Sequence, residues 1–262
     1  MNRCRLSAFL AACLMLPCVA RAAPPAERLM HATFKVFNPD STSTGFLLRD
    51  TAPDAAPADV ILVTAAHTFT KAKGDHVLLV CRTRDGAAGW GRRDHKVLIR
   101  EGTNALWTCH PSQDVAAIRC TLPTNAVYEA LSRETLADDT PAGLTVGSRL
   151  FFLSYPYRTE ANKAAFPLYR EGVVSGYPLL PVSAYPSFMF SASTFAGDSG
   201  APVALAAPGG PDGLLVVGLI ITRTQQNDKL KSAEWDLTFK RDMDLGAILH
   251  AAYIRETLAL LN

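Results

Sequence analysis

The chain has 262 residues, 48% of them hydrophobic and 19% charged, with a formal net charge of +2. That length can bury a self-sufficient core, and that balance excludes a disordered polar chain. Charge this close to neutrality also excludes bulk electrostatic capture of nucleic acid or of an anionic membrane.

In chain order, the first element is an export signal. Arg3 and Arg5 precede an apolar run from Leu6 to about Ala20, and Ala20-Arg21-Ala22 supplies the small-x-small cleavage site. Pro17 breaks the run, which falls short of the ~20 apolar residues that a membrane span requires. Residues 1–22 are therefore read as a signal peptide, and the mature chain as secreted or periplasmic with no membrane span. Leu10-Ala11-Ala12-Cys13 also resembles a lipoprotein box, but that cleavage would leave an unusually apolar start. Loss of Arg3, Arg5 and Arg21 takes 26 basic residues to 23 against 24 acidic ones, a net charge of −1. It also leaves three of six cysteines, Cys81, Cys109 and Cys120, so an oxidising compartment allows at most one internal disulfide.

Beyond residue 30 the chain alternates short β-branched and aromatic runs with Gly, Pro and Asp punctuation, the pattern of an all-β sandwich or barrel. Strands are predicted at 32–37, 45–49, 60–64, 76–82, 96–101 continuing to Trp107, and 115–122, with RDGAAGWGRRD as a hairpin end. A polar, turn-rich stretch from Pro123 to Gly147 separates two halves, taken as 23–130 and 131–262 of one domain. Further strands are predicted at 149–154, 167–176, 188–193, 201–205 and 214–222, with AAPGGPDG as the turn before the last. Leu245, Ile248, Leu249, Ala252 and Leu258 to Leu261 recur at helical spacing and predict a C-terminal amphipathic helix of about four turns.

Three segments join a reactive side chain to a suitable local backbone. ILVTAAH ends a buried strand with two small residues before His67; HPSQDVAAI sets Asp114 at the mouth of an apolar strand; FAGDSGAPV holds Ser199 in a glycine-bounded turn. A serine hydroxyl is a poor nucleophile until an imidazole takes its proton, and a carboxylate on the far ring nitrogen fixes the tautomer and stabilises the imidazolium. Gly197, without a Cβ, can aim its N–H beside that of Ser199 as an oxyanion hole, worth about 3–4 kcal/mol per donor. A lipase-type G-x-S-x-G would need glycine where Ala201 stands, and the scattered histidines make no zinc pattern. No metal or organic cofactor is called for.

TAAH, DVAAI and GDSGAPV, in that order, resemble the trypsin-like serine peptidase superfamily over roughly residues 30–242. The order His, Asp, Ser separates it from α/β-hydrolases and subtilisins. The resemblance implies two six-stranded antiparallel β-barrels with the active site between them, and a protein or peptide substrate. By the same register the pocket base is Ser193 with neighbour Thr194, and the strand pairing with substrate is Ile221-Thr222-Arg223. Serine at the base argues against a basic side-chain preference, and Arg223 stands where many relatives have glycine. Asp198 pairs in animal-type relatives with a new N-terminus. Residues 29–37, LMHATFKVF, offer no such start, so no activating cut is expected and Asp198 needs another partner. Cys109 and Cys120 flank the Asp114 turn as a candidate disulfide closing a ring of about 12 residues, worth ~3 kcal/mol; pairing of either with Cys81 stays open. The rival reading is a catalytically silent binding protein on the same scaffold.

Overall fold

The computed structural model describes residues 23–261 apart from 53–55, 57–58, 87–88 and 233; the export-signal segment lies outside the described residues. A short helix α1 (Pro25–Ala32) opens the described chain, with Pro25 in its first turn, where the missing N–H costs nothing. The first half then holds β1 (Thr33–Phe37), β2 (Thr42–Arg49), β3 (Asp59–Thr64), helix α2 (Ala66–Thr70), β4 (His76–Asp85), β5 (Gly89–Leu98), β6 (Arg100–Glu101), β7 (Asn104–Ala105), β8 (Thr108–Cys109) and β9 (Ala116–Thr121). The second half holds β10 (Arg149–Ser154), β11 (Leu168–Val174), β12 (Ser187–Ser191), β13 (Pro202–Ala206), β14 (Leu214–Lys231), β15 (Asp236–His250) and helix α3 (Ala251–Ala259).

The all-β architecture expected from the resemblance is present, as one closed six-stranded barrel and a second, seven-stranded sheet in place of the other six-stranded barrel. The second half is a closed barrel in the order β10-β11-β12-β15-β14-β13. The first half is a seven-stranded antiparallel sheet, β5-β4-β1-β2-β3-β9-β8, around its own core of Phe34, Leu47, Leu62, Phe69, Leu79 and Ile118. Among the described residues no helix is long and apolar enough to cross a membrane.

Why runs such as ILV and LFFL read as continuously apolar follows from where alternate side chains go. On β3, Leu62 faces the first core while Ile61 and Val63 face a third cluster lying between the halves. On β10, Leu150 and Phe152 face the second barrel's core, whereas Phe151 and Leu153 join that same interface. Both faces of each strand are covered, so neither shows polar alternation. Leu131 and Leu136 of the connecting segment bridge to Leu48 and Val216 and complete the interface. Each such side chain contributes about 1.5–3 kcal/mol by leaving water, and together they hold the two halves in fixed register around the cleft.

Two expectations are corrected. The C-terminal helix begins at Ala251, not near Leu245: residues 245–249 pair in β15 with 191–187 of β12. Leu245, Ile248 and Leu249 fit helical spacing, but the barrel buries both faces of this stretch, and a strand buried on both sides carries no distinguishing period. β14 also runs nine residues past the predicted Thr222, forming with β15 a hairpin that extends beyond the barrel.

The three cysteines are free thiols. Cys109 pairs in register with Ala116, four residues along β9 from Cys120, or about 13 Å at ~3.3 Å per residue. A disulfide needs Cα atoms within about 7 Å, so the strand register separates the candidate pair.

Candidate active site

α2 follows β3 directly and places His67 at its second position. The first amides of any helix lack an intrahelical acceptor, and here the His67 N–H donates to Asp114 Oδ1 at 2.9 Å while Nδ1 meets Asp114 Oδ2 at 2.6 Å. One carboxylate thus fixes both the backbone and the ring. With the Nδ1 proton facing Asp114, the neutral ring keeps its Nε2 lone pair for a neighbouring hydroxyl. Burial alone raises the Asp114 carboxyl, but the hydrogen bonds and charge of His67, with the charge of Lys71, outweigh it and hold Asp114 below the ordinary carboxylate range.

Ser199 lies in the turn before β13. Gly197 has φ +104°, and a Cβ there would stand 2.2 Å from the Tyr155 carbonyl oxygen; Gly200 has φ +85°, and a Cβ there would stand 2.1 Å from that of Thr44. Only glycine fits either position, which gives the GDSG sequence its physical meaning. The Ala196 carbonyl is turned away to accept the Tyr157 N–H at 2.6 Å. Among the described residues, neither the Gly197 nor the Ser199 amide donates to another group, so both remain available to an oxyanion.

His67, Asp114, Gly197 and Ser199 line one cavity of about 550 Å³, with residues from both halves on its walls. No hydrogen bond joins the Ser199 hydroxyl to His67 among the described residues; in unliganded enzymes this contact commonly tightens only when substrate binds. Thr194, Ile221, Thr222 and Arg223 line the same cavity, as the register implied. Ser193 does not. It is exposed, and its carbonyl accepts from Arg170 Nη1 at 2.7 Å, while its buried neighbour Thr194 lines the cavity. Thr194 is fixed there by its hydroxyl donating to the Leu245 carbonyl at 3.0 Å. Arg223 is not a free cation either: Asp242 Oδ2 lies 3.4 Å away and the Tyr157 hydroxyl 3.5 Å.

Four supporting residues escape sequence reasoning. Thr44 of β2 donates its hydroxyl to the Gly197 carbonyl at 2.8 Å and its N–H to the Ser199 carbonyl at 2.9 Å, stitching the first half to the nucleophile turn. Arg170 of β11 is the partner that Asp198 requires: its Nη2 pairs with Oδ1 of the buried Asp198, whose Oδ2 accepts the Phe195 N–H at 2.7 Å. The Arg170 guanidinium also lies over the Phe152 ring, 4.6 Å from its centre. His110 holds the Asp114 turn by accepting the Ser112 and Gln113 amides on Nδ1, which leaves Nε2 to donate to Glu256 of α3 at 2.9 Å. Tyr157, with φ 49°, sits in the left-handed region beside the nucleophile turn, its ring 5.2 Å from that of Phe195. The strain at Tyr157 is the kind that clusters at functional sites.

The arrangement defines an all-β fold of a six-stranded barrel and a seven-stranded sheet, with a cleft lined from both halves. A family model for the trypsin-like peptidase domain matches residues 43–209, and the chain belongs to that family. Among solved structures, the chain is similar to the Ser343Ala mutant of Rv3671c from Mycobacterium tuberculosis H37Rv in an inactive form, at 15% identity, TM-score 0.51, covering 94% of this chain and 93% of that one. A second structure, the Rv3671c protease in an inactive form, matches at 16% identity and TM-score 0.48 over 91% and 93%. At 15% identity the first likeness speaks for the fold alone. No curated protein sequence matches the chain.

Proposed function

We propose that the protein is an exported serine endopeptidase in which Ser199 attacks a peptide carbonyl, His67 carries the proton to the leaving amine, and Asp114 orients His67. The amides of Gly197 and Ser199 take the developing oxyanion, and water then hydrolyses the acyl-enzyme. The observation that carries this reading is the doubly bonded His67–Asp114 pair opening into one cavity with Ser199 and two undonated amides. Residues 23–130 and 131–262 act as one peptidase unit, since the interface core draws on both. Thr194 at the pocket's inner end, and Arg223 with its charge met by Asp242, favour an uncharged side chain before the scissile bond.

A fluorophosphonate probe tests the mechanism, because only an activated serine reacts quickly. The mature protein is expected to label at Ser199. Ser199→Ala is expected to lose labelling and about 10⁶-fold in kcat with an unchanged thermal melt. A folded wild type that resists the probe points to the silent binding protein instead. N-terminal sequencing of the exported chain, expected to begin at Ala23, tests the signal.

A further inference from the structure

The barrel does not use all of β14. β13 covers one edge of it only as far as Leu219, which pairs with Pro202, while β15 covers the opposite edge out to Lys231. From Ile221 outward, among the described residues, β14 presents an edge with no neighbouring strand. That edge starts inside the cavity, whose wall includes Ile221, Thr222 and Arg223, and leaves it as a two-stranded arm. An unpaired edge is a row of N–H and C=O groups ready to pair with any extended chain laid beside it.

The arm leaves the barrel in a defined direction. Its ladder is bulged between Ile220 and Thr222 and again between Arg223 and Gln225, which bends and twists it. Its root is fixed by Asp242, which accepts from the Tyr157 hydroxyl at 3.0 Å and from Gln225 Nε2 at 2.8 Å. Farther out, Leu230 stands directly across from Leu237, and Phe239 follows two residues on, so strand alternation sets all three on one face. They are 50%, 49% and 40% exposed. Lys229, Lys231 and Lys240 fall on the other face by the same alternation. A lone two-stranded ribbon is marginal in water, and a third strand is the usual remedy.

We propose that the free edge of β14 beyond Arg223, out to Lys231, continues the substrate-pairing strand as a docking rail for the distant part of a polypeptide substrate that precedes the scissile bond, bound as an added strand. The proposal rests on the peptidase reading above and names its substrate class: a long, unfolded or loop segment, not a short peptide. Every ladder of this barrel is antiparallel. A substrate strand of the same sense runs against β14, so residues lying along the arm are those upstream of the cut. Lys231 is eight residues past Arg223, about 26 Å at ~3.3 Å per residue. An apolar substrate side chain near the far end packs on Leu230 and, across the ribbon, on Leu237.

The test compares two alanyl diphenyl phosphonates, which label an activated serine irreversibly. One carries three residues before the reactive alanine and the other twelve, alternating Leu and Ser beyond the third. The longer probe is expected to inactivate the mature protein at least tenfold faster. That advantage is expected to vanish when alternate upstream amides are N-methylated, and in a Leu230→Asp/Leu237→Asp variant whose thermal melt shows it folded. Equal rates for the two unmodified probes, or an advantage that survives methylation in both registers, overturns the rail while leaving the peptidase intact. Failure of both probes to label overturns the peptidase and the rail together. Equal rates accompanied by a wild-type dimer that the double variant lacks would assign the arm to a second copy of the chain and overturn the rail.

Discussion

Arg170 meets from within the fold the charge that the nucleophile turn buries. Asp198 is 1% exposed, and a carboxylate so placed must be paired. Arg170 pairs it from within the fold, grips the Ser193 carbonyl, and so holds both ends of the segment leading to Ser199. Arg170→Met is expected to destabilise the protein by about 3–5 kcal/mol in urea titrations, because it strands a buried charge. Its kcat is expected to fall more than its KM rises, since the Gly197 amide loses its aim while the pocket walls stay. Arg170→Lys is expected to restore part of both. Steady-state kinetics beside the titrations would show whether the loss is only structural. That His67, Asp114 and Ser199 meet at one cavity was legible in the sequence because each lies on a particular backbone set within a few residues of itself. Arg170 and Thr44 were not, since their bonds to the nucleophile turn span 28 and 153 positions. Ser193, reached by counting back from Ser199, stands outside the cavity with its carbonyl bound by Arg170, a contact that counting along the chain does not reveal.

Strands expose a different limit. The turn chemistry of GAAG, PGGPDG and GDSG marks where elements begin and end, and β10 was read residue for residue. What the sequence hides is which partner a strand takes, and hence how far it runs. The outer part of β14, TQQNDKLK, lacks the apolar alternation of a core strand because neither of its faces packs on the barrel. Register likewise decides the cysteines. Burial pushes the Cys81 thiol up to about 11 and the Cys120 thiol up to about 12, so both stay protonated and unreactive at neutral pH, while Cys109 is exposed. Iodoacetamide at pH 7.5 is expected to modify one thiol of the native mature protein, Cys109, and three after denaturation. Intact-mass analysis without reductant would detect any bridge as a loss of two hydrogens.

The molecule as a whole is three cores in one cooperative body, and its acid sensitivity follows from a histidine where strand meets helix. His250 ends β15, is 1% exposed, and has its ring 4.8 Å from that of Phe188. Burial comes first among the influences on it and holds its pKa below the ordinary value, the Leu179 backbone offsetting this only in part. The folded state therefore keeps His250 neutral where the unfolded chain has begun to protonate it. The unfolded state then binds more protons, so stability is full above about pH 6.5 and declines as pH falls from there toward the depressed folded value. Thermal melts from pH 7.5 to 5 are expected to show this decline, and His250→Phe is expected to make it shallower, with His31 and His95, also held low by burial, supplying the rest.

The bonds from Thr44 to the nucleophile turn, and the Gly200 N–H held by the Ile220 carbonyl at 2.7 Å, also set a schedule for synthesis. A ribosome delivers His67, Asp114, Thr44 and Arg170 early, whereas the turn around Ser199 is closed only when residue 220 has emerged to accept the Gly200 N–H. A chain truncated before residue 220 lacks that acceptor and is expected to resist the serine probe that labels the whole chain.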